Sequence, residues 1–420
     1  MKSETPRPPH IRFNFAMGLI HGILFQTGMA FSAPMSVLPV FLSHFTGSLT
    51  MIGVFSALMN AGGVLPQLFV AHRLESKPRK KPVLVVAIWV RAAAWAILGL
   101  LTYFCVECNT LIILVALLVL LFTFSFAGGV AGIPFTDIWG KALPAMLRGR
   151  FFGYRQLFGG LMAIGAGYVV KQILGDPSLS FPRNYAFLFL LSFVFIAVSY
   201  IALSSVREPE GEVHAQPRRL SVFLKQSVRI LWEDRNFGWF MLTQLAMGFS
   251  ALAMPFYVLY GKDKLGMAAE QVGILVGAQI AGAIVSNLIW APLSDRVGNR
   301  IVCILTAATA VMIPLSALLS STVGWTLLIV VFVLIGVSTS GAGIGFTNYL
   351  LEIAPGPLRP AYIALRGTLA GGMFVMPILG GLIVDVYSYP AAFVVSLIAL
   401  LMAVGFSFKL KPVRSVGASR

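Results

Sequence analysis

Two ionisable side chains interrupt long apolar runs of this chain, His21 and Arg91. An ionisable group in such a run costs several kcal/mol unless it is paired or hydrated, which makes each a candidate for handling a solute, a proton or a counter-ion. His21 lies nine residues beyond Arg12 and Arg91 nine beyond Pro82, about 13 to 14 Å along a helix and so near a bilayer midplane. An imidazole, with its ordinary pKa of about 6.5, suits proton coupling or the binding of an anionic group; a hydrogen-bonded structural histidine is the alternative. Arg91 is expected to pair with polar groups on adjacent helices or to reach toward the interface, with substrate contact as the second reading. Gln26, Asn60, Gln244, Tyr257 and Asn348 can offer hydrogen bonds to a solute, although the same residue types also serve helix packing. Carboxylates are scarce at depth: Asp137 and Glu352 stand at span ends and Asp385 close to the opposite face, so no buried acidic proton carrier is evident.

Other chemical signals are weak. Cys105-Val106-Glu107-Cys108 is either a chance spacing or a disulfide in an external loop, and no second pair completes a metal site. Gly341-Ala342-Gly343-Ile344-Gly345 lies in an apolar run without a preceding strand and reads as close helix packing. A Walker lysine loop, a nucleophile elbow and a His-Glu-x-x-His pair are all absent from the sequence. The expectation is a protein without catalytic residues, metal or cofactor, with coupling to a proton or other ion gradient left open.

The elements that position these residues are membrane helices. The chain is 58% hydrophobic and 11% charged, against roughly 25% charged in a soluble domain. Uncharged runs such as Leu111 to Phe126 fit a hydrocarbon core that takes about 20 helical residues per crossing. Charge clusters and turn residues divide the chain into twelve spans, the first near 13–42 and the last near 388–409. The net charge of +16 forms no continuous stripe, so the basic residues read as topology signals rather than a nucleic-acid surface. Of the 31 Lys and Arg, only Lys171, Arg183, Lys262 and Lys264 fall on one side and only Arg91 within a span. The positive-inside rule then places both termini in the cytoplasm. The first span shows no cleavage pattern and is expected to remain in place.

An all-α polytopic protein built from two six-helix bundles is expected, 1–206 and 237–420, joined by a cytoplasmic linker, 207–236. Within the linker, Leu220, Phe223, Leu224, Ile230 and Leu231 alternate with Lys225 and Arg229, as an interfacial amphipathic helix requires. The bundles are related by sequence. Gly53, Ala61, Gly62, Leu68 and Ala71 recur at a constant offset as Gly273, Ala281, Gly282, Leu288 and Ala291, and the Glu75 and Lys80 pair recurs as Asp295 and Arg300. A second block carries Phe135-Thr136-Asp137 onto Phe346-Thr347-Asn348, Leu147-Arg148 onto Leu358-Arg359, and Arg155 onto Arg366. Such repeats suit two bundles that rock about a shared solute site.

The loop Ala291-Pro292-Leu293-Ser294-Asp295-Arg296-Val297-Gly298-Asn299-Arg300 resembles the Gly-x-x-x-Asp-Arg-x-Gly-Arg-Arg/Lys loop of the major facilitator superfamily, and Ala71 to Lys80 is a more degenerate copy. The fourth-helix arginine motif is absent, and Met376-Pro377-Ile378-Leu379-Gly380-Gly381 only approximates the antiporter pattern in the eleventh span. The resemblance implies a 6+6 fold and a cytoplasmic gate in which Asp295 faces Arg148 and Arg155 while Glu75 faces Arg359 and Arg366. Arg79, Asp137, Arg296 and Arg300 belong to the same end. A carboxylate there can cap a helix N-terminus and attract guanidinium groups; the alternative is that these arginines only anchor topology. The expected function is secondary transport of a small molecule by alternating access, as export of amphipathic or apolar compounds, or else as uptake of a small polar or anionic metabolite. A membrane receptor or enzyme on the same scaffold is the less favoured class. The expected partners are the solute and the lipid of a bacterial-type plasma membrane, without nucleic acid, for a protein that works as a monomer. If Asp295 latches the gate, Asp295→Asn favours the inward-open state, raising the labelling of cysteines in the cytoplasmic cavity; unchanged labelling contradicts the latch.

Overall fold

The computed structural model describes residues 10–74, 77–104, 110–210, 233–355 and 358–412. Twelve helices among them are long and apolar enough to cross a membrane: Ile11–Leu42, Leu49–Pro66, Lys81–Phe104, Thr110–Ala142, Met146–Gly175, Arg183–Ser205, Arg235–Lys264, Ala269–Arg296, Asn299–Val323, Leu327–Ile353, Leu365–Val386 and Tyr389–Phe408. They are numbered here as the first to twelfth spans. Large apolar side chains such as Val86, Leu111 and Leu288 stand exposed on them. Surface of that kind is stable only against lipid, so the chain is an integral membrane protein. The linker helix expected over 220–232, Glu75, Cys105 and Cys108 lie outside the described residues.

Contacts divide the chain into two units, Met1–Ala33 with Leu58–Pro217, and Pro34–Ala57 with Arg218–Arg420. The segment Pro34–Ala57, expected within the first bundle, therefore packs as part of the second unit. Its starting point has a local cause. The helix Ile11–Ser32 stops just before Pro34 and the chain resumes as Val37–Leu42, because the residue preceding a proline is disfavoured in helical backbone. The seventh span is likewise broken into Arg235–Gly248, Ser250–Ala253 and Phe256–Lys264, the last following Pro255.

In the first unit the first span packs on the fifth and sixth, and the third on the fourth and sixth. The second unit repeats this, with the seventh span on the twelfth and the ninth on the tenth and twelfth. The repeat extends to a polar clamp. Asn14 donates through Nδ2 to the Arg207 carbonyl and accepts from the Arg207 N–H, both at 2.9 Å. Asn236 accepts from the Lys411 N–H at 2.9 Å. In each unit the asparagine at the start of the first helix thus holds the exit of the last one, satisfying backbone groups that a helix end leaves unpaired. At the start of the seventh span, Asp234 accepts from the Asn236 and Phe237 N–H groups at 3.0 Å and from the Tyr362 hydroxyl at 2.7 Å. Burial, and then the Asp234 carboxylate, raise the Tyr362 pKa above the usual tyrosine range, so this hydroxyl remains a donor.

The eighth and tenth spans touch at backbone distance. A Cβ on Gly282 would collide with the Val333 carbonyl, and one on Gly336 with the Gln279 carbonyl. Small residues allow this approach, which replaces the missing hydrophobic drive between helices in lipid by close packing. Gly282→Val is expected to destabilise by about 1–3 kcal/mol, the usual range for overpacking, seen as a lower melting temperature of the detergent-solubilised protein. Gly277→Ala, where a Cβ meets nothing within 4 Å, serves as the unchanged control; equal melting of the two variants would contradict the close crossing.

Candidate functional site

Five spans of the first unit bring His21, Arg91 and Arg155 into one aromatic cluster. His21 is buried, with Nδ1 3.4 Å from the Ser199 Oγ. Its ring centroid lies 5.6 Å from Phe25, one turn along the same helix, 5.8 Å from Phe135 and 6.0 Å from Tyr200. The Arg91 Cζ sits 4.3 Å from the Phe124 ring centroid and 5.2 Å from that of Phe25. The Arg155 Cζ lies 5.3 Å from the Phe135 ring, 5.5 Å from Phe151 and 5.7 Å from Phe152. Phe25 and Phe135 therefore connect His21 to one guanidinium each, and both arginines are within electrostatic range of the imidazole.

Neither arginine has an acidic partner among the described residues. The Nε of Arg91 and that of Arg155 are buried without a hydrogen-bond partner, as is the Tyr200 hydroxyl. Among the described residues, the ion pairs of the first unit involve Lys80, Lys141 and Arg79, and neither Arg91 nor Arg155. What holds Arg155 inward is space and stacking: Gly22 faces its side chain, and a Cβ there would collide with Nε. Gln26 fixes the same helix by donating to the Arg155 carbonyl at 3.2 Å, and it also reaches Gln156 Oε1 at 3.4 Å. Cation–π contacts contribute roughly 0.5–2 kcal/mol each, less than the several kcal/mol that a desolvated charge costs.

The second unit holds the repeat-related arginine differently. Arg366 donates through Nε to Gln244 Oε1 at 3.2 Å and through Nη1 to Thr347 Oγ1 at 3.3 Å. Gln244 and Arg366 line a cavity of about 350 Å³ together with Ser338, Thr339, Phe346 and Met373. Tyr257 is buried against Phe393, 4.8 Å between ring centroids, and Asn348 donates to Ser294 Oγ at 3.4 Å. Both are packing contacts outside this cavity, while Asn60 stands exposed on the second span. Ser199, Tyr200 and Phe124 join the site without a motif of their own in the sequence. The Ser199-Tyr200 pair within the apolar sixth span was the available signal.

The expected gate residues are engaged mostly inside their own units. Asp137 pairs with Lys80 at 2.8 Å and Lys141 at 2.5 Å, and Arg79 with Glu210 at 2.7 Å. Arg148 donates to the carbonyls of Leu143 at 3.0 Å and Gly140 at 2.5 Å, closing the end of the fourth span. Arg300 donates to the carbonyls of Leu410 at 2.6 Å and Phe408 at 3.1 Å. Asp295 and Arg296 stand exposed at the end of the eighth span, and Arg359 begins the helix Arg359–Gly371. Arg155 and Arg366, placed at the gate from sequence, instead point into their bundles. A further carboxylate, Asp385, accepts from the Leu49 N–H at 2.9 Å, the Thr50 N–H at 2.8 Å, the Thr50 hydroxyl at 2.7 Å and the Ser48 hydroxyl at 3.1 Å. Within the second unit it caps the N-terminus of the second span, where a negative charge is favoured.

Residues 245–420 match the Major Facilitator Superfamily. The fold of the whole chain is similar to that of a bacterial homologue of the iron transporter ferroportin in an inward-facing state, with a TM-score of 0.72 at 15% identity over 96% of this chain and 99% of that one. It is similar also to a variant of the nucleoside transporter NupG, TM-score 0.72 at 14% identity over 95% and 100%, and to a D-xylose–proton symporter, TM-score 0.70 at 14% identity over 96% and 98%. No curated protein matches the sequence significantly. The family match is thus confined to residues 245–420, within the second unit, while the likeness of fold runs along the length of the chain.

Removing the Asp385 charge tests the cap. Asp385→Asn is expected to speed hydrogen exchange of the Leu49 and Thr50 amides about tenfold, corresponding to the loss of ~1.5 kcal/mol from charge-assisted bonds. Unaltered exchange at both amides would contradict it.

Proposed function

We propose that the protein is a secondary transporter that moves a small solute by alternating access, with both termini on the cytoplasmic side of a plasma membrane. The observation that carries this reading is the polar groups held within the spans of each unit: Gln26 bonded to the Arg155 backbone in one, and Gln244 bonded to the Arg366 side chain in the other. Ionisable and amide groups at that depth are costly to keep and have a purpose when a solute meets them. The internal repeat supports alternating access, since related bundles can expose a site to each side in turn. Relatives in fold are named as carriers of iron, nucleosides and D-xylose, which supports transport as the class.

Between the two kinds of cargo expected from sequence, the half-buried cations favour a polar or anionic solute over an apolar one. Among the described residues no group of three or more His, Cys, Asp or Glu could hold a metal ion, so a metal cargo has the weaker support. Reconstituted into proteoliposomes, the protein is expected to catalyse saturable uptake or exchange of a member of a small-solute panel under a proton, sodium or solute gradient. Absence of flux under every gradient, with the protein folded and inserted, would overturn the transport reading.

A further inference from the structure

We propose that Arg91 and Arg155 form the binding site for the oxyanion of a small organic acid, a carboxylate or a phosphate ester, whose aromatic or apolar body lies against Phe25, Phe135 and Tyr200. The proposal deepens the transport reading and rests on it for the physiological role, but not for binding itself. Three observations carry it. Two half-buried guanidinium groups reach one buried imidazole through a shared ring each, Phe25 and Phe135, without an acidic partner among the described residues, and each leaves a buried Nε unpaired. One further polar group faces the same cluster, the Tyr200 hydroxyl, buried and unpaired, whereas the Ser199 hydroxyl beside His21 is already spent on the Ile196 carbonyl at 2.7 Å. The side chains packed around these polar heads include the aromatic rings of Phe25, Phe135 and Tyr200.

The chemistry of the donor set selects the ligand. A guanidinium presents several N–H donors in a planar fork that matches the two oxygens of a carboxylate or the three of a phosphate, and it cannot shed its proton to become neutral. A neutral sugar or nucleoside would satisfy hydrogen bonds yet leave both charges unbalanced. A metal cation would be repelled by both. An inorganic anion would meet the charges and leave the aromatic wall unused, so an organic acid fits the whole surface. The repeat sharpens the contrast, because Arg366 is already satisfied by Gln244 and Thr347. The anion head therefore belongs to the first unit.

The test is direct binding to the purified full-length protein in detergent, by calorimetry and by thermal shift, with benzoate, phenyl phosphate, benzyl alcohol and inorganic phosphate as probes. Benzoate or phenyl phosphate is expected to bind and to raise the melting temperature, and the tighter of the two identifies the head group. Benzyl alcohol is expected to bind at least tenfold more weakly, as is inorganic phosphate, which lacks the body. Arg91→Gln and Arg155→Gln should each weaken the organic anion at least tenfold. Without ligand, each should melt at the same or a higher temperature, because an uncompensated charge has been removed. Anion and neutral probe binding alike, or either variant binding like the parent, would overturn the proposal. So would a lower melting temperature of both variants without ligand, the signature of arginines that serve packing alone. The two levels separate cleanly: anion binding without flux removes the transport reading and leaves the site, whereas flux of neutral solutes without anion binding removes the site and leaves transport.

Discussion

A guanidinium inside an apolar helix bundle needs a counter-charge, and the first unit keeps two of them without one among the described residues. Insertion of an arginine at mid-membrane depth costs about 2.5–3.5 kcal/mol even where water and headgroups can relax around it. Stacking on Phe124 and Phe25 for Arg91, and on Phe135, Phe151 and Phe152 for Arg155, offsets part of that cost and fixes where the charges sit. The remaining positive potential acts on whatever enters the cluster. Much of the local construction follows from holding these groups in place: Gly22 leaves the room for the Arg155 side chain, Gln26 ties down its backbone, and Ser199 holds the imidazole between the two aromatic neighbours.

The two units were built from one plan and then diverged in how they handle charge. The asparagine clamps at Asn14 and Asn236 are repeated in each. The differences are chemical. Arg366 finds neutral acceptors and lines a cavity with hydroxyls and methionine, whereas Arg155 finds only rings. At the end where helices start and stop, each unit also closes its own polar groups: Lys80, Asp137 and Lys141 in the first, Asn299 with Glu352 in the second.

Much of the fold was legible because hydropathy reports the bilayer directly, and span count follows from run length. The repeat was legible too, since packing glycines such as Gly62 and Gly282 cannot be replaced without moving a helix. Depth was less so. The fifth span begins at Met146, earlier than its charge cluster suggests, and this carries Arg155 well inside the bundle instead of leaving it at the edge. His21 and Arg91 stood out because each interrupts an apolar run, but their shared neighbours come from five helices and leave no local pattern. Tyr257 and Asn348 had the right chemistry for a ligand and are taken up by Phe393 and Ser294 instead. Asp385 escaped assignment because two of its partners are backbone N–H groups far away in sequence, which no residue type announces.

The central claim is an uncompensated positive potential around Arg91 and Arg155, and charge-selective labelling of a nearby thiol reads it directly. With Cys105, Cys108 and Cys303 replaced by serine, Gln26→Cys would be treated with an anionic and with a cationic methanethiosulfonate of similar size, each rate normalised to that for a thiol in solution. A normalised preference for the anionic reagent, reduced by added Arg91→Gln or Arg155→Gln, is the predicted result. Equal normalised rates, or a preference for the cationic reagent, would contradict it.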